Sequence, residues 1–255
     1  MSLNIEQKQR YLRNTILPEI GEKGQKKLLC ARVLVIGAGG LGSAALLYLA
    51  AAGVGNIGVI DDDIVEMSNL QRQIIHNQKN LGQKKVTSVK EKISALNSDV
   101  QLEVFAGRVN SKYLTKISAD YDFILDATDN FPTRFIINKI CHRQKKPLIF
   151  AAVKGFLGQV AVFKSYEKNN PCYSCFNPNI SGNILGKNCS VPLFEKGILG
   201  SVAGTIGAMQ ASYTIKEILA IEENLAGKIL IFDFLRNNFR KVALKKTPAC
   251  KICGH

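Results

Sequence analysis

The chain has 255 residues, 46% hydrophobic and 21% charged, enough apolar material for a sizeable core and too much for a largely disordered protein. Its 34 Lys and Arg against 20 Asp and Glu give a formal net charge of +14, which points to an anionic partner or to a lysine-rich solvated surface. The C-terminal end from Lys228 is densest in basic residues but carries no recognisable nucleic-acid module, so nucleic acid is the minority reading.

The opening MSLNIEQKQR lacks the apolar core of a signal peptide and predicts a cytoplasmic protein, whose seven cysteines then serve metal binding or chemistry rather than disulfides. Residues 4–30 read as two short helices broken at Pro18 and Gly21. Arg10 and Arg13 fall on one face of the first, which from the residues alone is a solvated face. Next comes VLVIGAGGLG, Val33 to Gly42, a β-branched strand run, a glycine turn and a helix start. Gly37, Gly39 and Gly42 occupy the fingerprint positions for a tight turn, close approach of phosphate to bare backbone, and helix-on-strand packing. A second strand, Asn56 to Ile60, ends in Asp61, 22 residues after Gly39, where a ribose-binding carboxylate is expected.

The 28 uncharged residues from Val33 to Ile60 would also suit a membrane span, but seven glycines interrupt them at two turn sites. Each glycine costs about 1 kcal/mol in a helix interior, so strand, loop, helix and strand is preferred and no membrane partner is expected. The polar connection DDDIVEMSNLQRQ, 61–73, carries Asn69 and Arg72 at a strand's C-terminal end, a place for a site. A helix is predicted over 82–97, opening with Lys84 and Lys85, and a strand over 101–105. Another strand at 123–126 is followed by ATDN and a helix from Pro132 to Lys145, so that Asp126 and Asp129 emerge at a further C-terminal strand edge. Asp61, Asp129 and the glycine loop are expected to converge in the crevice of a doubly wound sheet.

Residues 147–153 and 158–163 read as a strand pair joined by a tight turn, and 164–196 as a long crossover loop. Gly197 to Glu217 is predicted to be a nearly uncharged helix, buried through Gly200, Gly204 and the small residues between them, with a subunit contact as one use. Strands at 228–233 and 239–244 and a cysteine-bearing tail close the chain. The expected architecture is α/β, a Rossmann-like doubly wound mixed sheet whose parallel nucleotide-binding half is followed by antiparallel strands. It forms one domain over 1–255: N-terminal helices at 1–31, the nucleotide-binding sheet at 32–163, the crossover loop at 164–196, and helix, strands and metal-binding tail at 197–255.

Cys172 with Cys175 and Cys250 with Cys253 form two CxxC pairs, 74 residues apart, that suit tetrahedral Zn²⁺ in a structural site with no position left for water. A redox CxxC would have to explain two pairs at once. Cys30 and Cys141 lie in helical patterns and are expected to be small buried hydrophobes. Cys189 sits in the polar stretch NILGKNCSVP beside Lys187, which favours its thiolate, and both a nucleophile and an inert loop thiol remain open.

Taken together, RYLRNTIL at 10–17, GAGGLG at 37–42, DDDIVEMSNLQRQ at 61–73, GQKKV at 82–86, ATDN at 127–130 and both CxxC pairs resemble one family over essentially the whole chain, the bacterial E1-like adenylyltransferases ThiF, MoeB and HesA. The resemblance implies that Mg-ATP adenylates the C-terminal glycine carboxylate of a small ubiquitin-like sulfur carrier, ThiS or MoaD, with release of pyrophosphate before sulfur transfer. It places Gly40 and Asp61 on the nucleotide beside the glycine loop, Asn69, Arg72 and Lys85 on the phosphates, Asp129 on Mg²⁺ and Asn130 within the same nucleotide motif. It brings Arg13 in from the second subunit of a homodimer, reversing the solvated-face reading. Cys189 departs from the family pattern, being followed by seven residues before Gly197 instead of three, and its role stays open. DDD at 61–63 and VKGFLGQ at 153–159 lean towards ThiF. Without a rhodanese-like extension, sulfur has to come from a donor protein such as a cysteine desulfurase or rhodanese. An NAD-dependent Rossmann oxidoreductase shares the glycine fingerprint but has no use for Arg72, Lys85 and Asp129. An E1-like tRNA-modifying enzyme would suit the charge, and the zinc pairs argue against it.

Overall fold

The structure, a computed structural model, describes residues 2–178, 197–221 and 225–254. Its frame is one eight-stranded sheet in the order β3-β2-β1-β4-β5-β6-β7-β8, with β1 Arg32–Ile36, β2 Asn56–Ile60, β3 Gln101–Phe105, β4 Phe123–Asp126, β5 Leu148–Lys154, β6 Leu157–Phe163, β7 Lys228–Asp233 and β8 Asn238–Ala243. Strands β1 to β5 pair in parallel, and β6, β7 and β8 are added antiparallel. The order reverses between β1 and β4, and the crevice above their C-terminal ends is where an open α/β sheet holds ligands. The mixed doubly wound sheet is thus as expected.

Central strands covered on both faces read as continuous apolar runs. In β1, Val33 and Val35 face one core and Leu34 and Ile36 the other, all four buried. The first core is closed by α4 Gly40–Ala51, α5 Lys85–Leu96 and α9 Gly200–Leu219, through Leu46, Leu49, Val89, Ile93, Val202 and Ile206. The second is closed by α6 Ser111–Ser118 and α7 Phe131–Gln144, through Leu114, Ile117, Ile137 and Ile140. Helix α9 lies against α4 so closely that a Cβ at Gly207 would sit 2.3 Å from the Leu41 carbonyl oxygen. Gly200, whose added Cβ would lie 2.3 Å from the Gln71 carbonyl oxygen, and Gly207 therefore serve packing inside the chain, while at Gly204 an added Cβ would meet nothing within 4 Å.

Three local features differ from the sequence reading. The N-terminal segment forms three helices, α1 Ile5–Arg10, α2 Leu12–Thr15 and α3 Gly21–Cys30, because Tyr11 leaves helical geometry (φ −98°, ψ 13°) between the first two. Its buried ring crowds Gly53, and its hydroxyl donates to Asp99 (2.9 Å) while accepting from Asn97. Helix α6 was not anticipated, although Asn110 caps it by accepting from the Tyr113 N–H and Leu114 and Ile117 sit three apart. Cys30 is exposed rather than buried: α3 buries Gly24, Gln25 and Leu28, and the face they define leaves position 30 outside. Cys141 is buried as expected, and burial pushes its thiol well above the ordinary range. Of the expected crossover loop, the described part runs to Pro178 and includes the one-turn helix α8 Tyr173–Phe176.

Candidate active site

The glycine turn caps β1 and begins α4. Gly37 has φ +101°, and a Cβ there would meet the Ala127 carbonyl oxygen at 2.7 Å, so β1 and β4 close on each other at this residue. A Cβ at Gly42 would lie 2.0 Å from the Gly37 carbonyl oxygen, which explains the third glycine as a packing requirement. In front of Gly39 there is room: its nearest neighbour would be Gln73 Nε2 at 3.8 Å. Gly40 abuts the Arg72 side chain, whose Cγ would be 3.4 Å from an added Cβ. The first N–H groups of α4 have no intrahelical acceptors, and the helix dipole adds positive potential there, so the turn can accept an anion.

Asp61 closes the turn from β2. Its Oδ2 accepts the Ala38 N–H (2.7 Å) and its Oδ1 the Asp63 N–H (2.9 Å), leaving each oxygen a lone pair that can accept a further hydroxyl or amide donor. Burial raises its pKa, while the Ala38 N–H and the Lys85 charge act against that rise. The connection from 61 to 85 folds back on itself through the Val65–Gln83, Gly82–Val65 and Lys85–Asp63 main-chain bonds, which bring the start of α5 beside the end of β2. Lys85 is thereby buried and its Nζ sits 2.7 Å from Asp63 Oδ2. Asn69 is buried in the same connection, its Oδ1 accepting from the Glu66 N–H, and Arg72 donates to the Ser68 carbonyl (3.1 Å).

Asp129 and Asn130 follow β4 in the turn that touches Gly37. Asp129 is exposed, and Asn130 caps α7 by accepting from the Thr133 N–H (3.0 Å), so part of its hydrogen-bonding capacity is already used. Asp126 beneath them is buried, accepts from the Thr128 N–H and hydroxyl, and has its pKa raised by burial. Arg134 reaches back from α7 to the Thr128 carbonyl (2.6 Å) and lies 5.3 Å from the centre of the Phe150 ring. Residue reading passed over Arg134 and also Gln210, which donates to the Asp126 and Ile149 carbonyls, because nothing local distinguishes a buried polar helix residue from a solvated one.

Two predicted residues are not brought to this crevice. Arg13 is exposed on α2, which is fastened near the C-terminal end of α4 by Tyr11 and by Asn14, a donor to the Ala52 carbonyl. The 12 residues of α4 span about 18 Å, farther than an arginine reaches. Cys189 lies outside the described residues.

The four cysteines of the CxxC pairs do meet. Cys172, Cys175, Cys250 and Cys253 are all buried or nearly so, with sulfur separations of 3.9 Å (172–175), 3.6 Å (172–250) and 3.4 Å (175–253). A tetrahedral ion with metal–sulfur bonds of about 2.3 Å requires sulfur–sulfur edges of roughly 3.8 Å, so the donor set fits such a metal. Asn138 of α7 holds the first knuckle, accepting from the Tyr173 N–H and donating to Ser174, and the Thr247 N–H points at Cys175 Sγ. Among the described residues, no helix is long and apolar enough to cross a membrane.

A sequence profile of the ThiF family matches residues 11–252. The chain is 42% identical over 253 residues to the adenylyltransferase and sulfurtransferase MOCS3 of Anopheles gambiae, covering 99% of this chain but 56% of that protein. It is 39% identical to the sulfur carrier protein adenylyltransferase of Thermus thermophilus, over 98% of this chain and 92% of the relative. Among solved structures, Escherichia coli MccB crystallised with ATP superposes with a TM-score of 0.82 at 26% identity, over 96% of this chain and 74% of that one.

Proposed function

We propose, from the premise that this chain belongs to the ThiF family, that it uses ATP to adenylate the C-terminal glycine carboxylate of a ubiquitin-like sulfur carrier of the ThiS or MoaD type. The observation that carries the reading is the convergence at one sheet edge of an open glycine turn, the Asp61 carboxylate, the Arg72 side chain and the Lys85–Asp63 pair. In this reading the carrier's carboxylate oxygen attacks the α-phosphorus, a P–O bond forms, the α–β bridge breaks, and pyrophosphate leaves. Such a displacement needs positioning and charge neutralisation more than a general base. The N–H groups of α4 and the Asn69, Arg72 and Lys85 side chains bind the phosphates, Asp61 the ribose, and Asp129 with Asn130 the Mg²⁺ edge of the nucleotide, where the ion would neutralise phosphate charge. The Cys₄ cluster holds a structural Zn²⁺. The relative named for sulfur carrier adenylation, covered over 92% of its length, supports the substrate class.

The whole chain acts as one adenylating unit in the cytoplasm, and sulfur reaches the acyl adenylate from a separate donor such as a cysteine desulfurase or rhodanese, for thiamine or molybdopterin synthesis. Cys189 is not used in adenylation, which asks for no thiol, and any part it plays comes later. The direct test is carrier-dependent ATP–pyrophosphate exchange with purified ThiS and MoaD side by side. Exchange with neither would refute the substrate class, and exchange with one assigns the pathway.

A homodimer completes the site. Arg13 is too far from its own glycine turn and, among the described residues, makes no hydrogen bond or ion pair, which supports its delivery to a partner subunit. Arg13→Ala and Asp129→Ala proteins, each of low activity alone, should regain part of the exchange rate when mixed under conditions of subunit exchange, because one hybrid site is then intact. Confirmed exchange of subunits without recovery would remove the cross-subunit role.

A further inference from the structure

The ring of His76 is buried, only 6% exposed, and both its nitrogens are engaged. Nε2 lies 3.0 Å from the Ala38 carbonyl oxygen, which only accepts, so Nε2 carries the proton. Nδ1 lies 2.8 Å from Ser88 Oγ, and in the neutral ring it accepts the hydroxyl proton. Burial lowers the pKa of His76, and the nearby Lys85 charge adds to the effect. Ser88 stands one turn after Lys85 in α5, so this ring joins the glycine turn to the helix that presents Lys85. Ala38 is bound on both sides, its N–H to Asp61 and its carbonyl to His76.

The Ala38 carbonyl and the Gly39 N–H belong to one planar trans peptide and point in opposite directions. A contact that fixes the carbonyl therefore also aims the Gly39 N–H, away from His76, and of the three fingerprint glycines Gly39 alone has open room at the place of a Cβ. We propose that His76 is a positioning residue of the nucleotide site: by holding the Ala38 carbonyl it orients the Gly39 N–H towards phosphate, and through Ser88 it keeps the Lys85 helix in register with the same turn. This rests on the reading of the glycine turn as the ATP phosphate site.

The test measures Mg-ATP affinity by titration calorimetry, alongside melting temperature, for wild type, His76→Leu, His76→Gln and His76→Asn. A glutamine amide reaches the place of Nε2 and can donate to the Ala38 carbonyl. An asparagine amide is too short for that and can keep only the Ser88 contact. His76→Leu and His76→Asn should bind Mg-ATP at least about tenfold more weakly, and His76→Gln should stay within about threefold of wild type. Equal affinity for the glutamine and asparagine variants, or an effect confined to melting temperature, would overturn the positioning role. So would loss of the fold in all three variants, which would make His76 a folding residue. Wild-type protein that binds no Mg-ATP would instead overturn the reading of the turn itself.

Discussion

Asp129→Ala is expected to lower carrier-dependent ATP–pyrophosphate exchange at least about 100-fold, the scale seen when one group stabilising transition-state charge is removed, while the melting temperature stays within a degree or two of wild type. The two expectations are separable because of how the turn after β4 is built. Asp126 is the carboxylate that organises it: buried, with both the N–H and the hydroxyl of Thr128 on one oxygen. Arg134 fixes the Thr128 carbonyl from the other side. Asp129 is left exposed and, among the described residues, makes no hydrogen bond, so its removal breaks nothing in the scaffold. Exposed side chains without such partners usually change stability by no more than about 0.5 kcal/mol. Near-normal exchange in the folded variant would sink the Mg²⁺ assignment. A large fall in melting temperature would show instead that the carboxylate supports the turn.

Cys250→Ser should abolish stoichiometric zinc and lower the melting temperature by roughly 10 °C or more, since metal binding to a Cys₄ site contributes directly to folding free energy. The reason lies in how the tail is held. Cys172, Cys175, Cys250 and Cys253 form a separate small buried cluster, to which, among the described residues, only Ile252 adds a partly buried apolar side chain. The knuckle is further tied by main-chain bonds from the Cys250 N–H to the Thr247 carbonyl and from the Gly254 N–H to the Cys250 carbonyl, and by the Thr247 N–H on the Cys175 sulfur. A cluster of that size buries too little apolar surface to pin a tail by itself. The loss should extend to the first knuckle, whose Tyr173 packs on Phe135 and Phe150 at the edge of the second core. Elemental analysis of purified wild-type protein that finds no zinc would refute the site. Retention of one zinc per chain in Cys250→Ser would show that Cys250 is not a ligand.

Much of this protein is written locally. The run from Val33 to Ile60 has apolar residues on both sides of each strand, most of its glycines at or beside the two turns, and Asp61 just after β2, and each is a short-range pattern that specifies strand, turn and helix before any tertiary contact forms. The β3, β4 and β7 segments were legible for the same reason, and the spacing of the CxxC pairs announced a four-sulfur site. Other features depend on partners far away in the chain. The 74 residues between the cysteine pairs do not say that the pairs meet; that follows from α7, where Asn138 seats one pair, and from the tail that returns to it. That the small residue at 207 makes an internal contact is decided by the Leu41 carbonyl beneath it, which no spacing announces. Cys30 reads as apolar in a helical pattern, and only the direction of the face defined by Gly24, Gln25 and Leu28 turns it outward. His76 has no motif at all, because a histidine becomes a clamp only when Ala38, 38 residues earlier, and Ser88, 12 residues later, are folded to its two nitrogens. A hydrogen bond depends on distances in space, which sequence spacing sets within one helix turn or strand and which, across the sheet, only the packed chain decides.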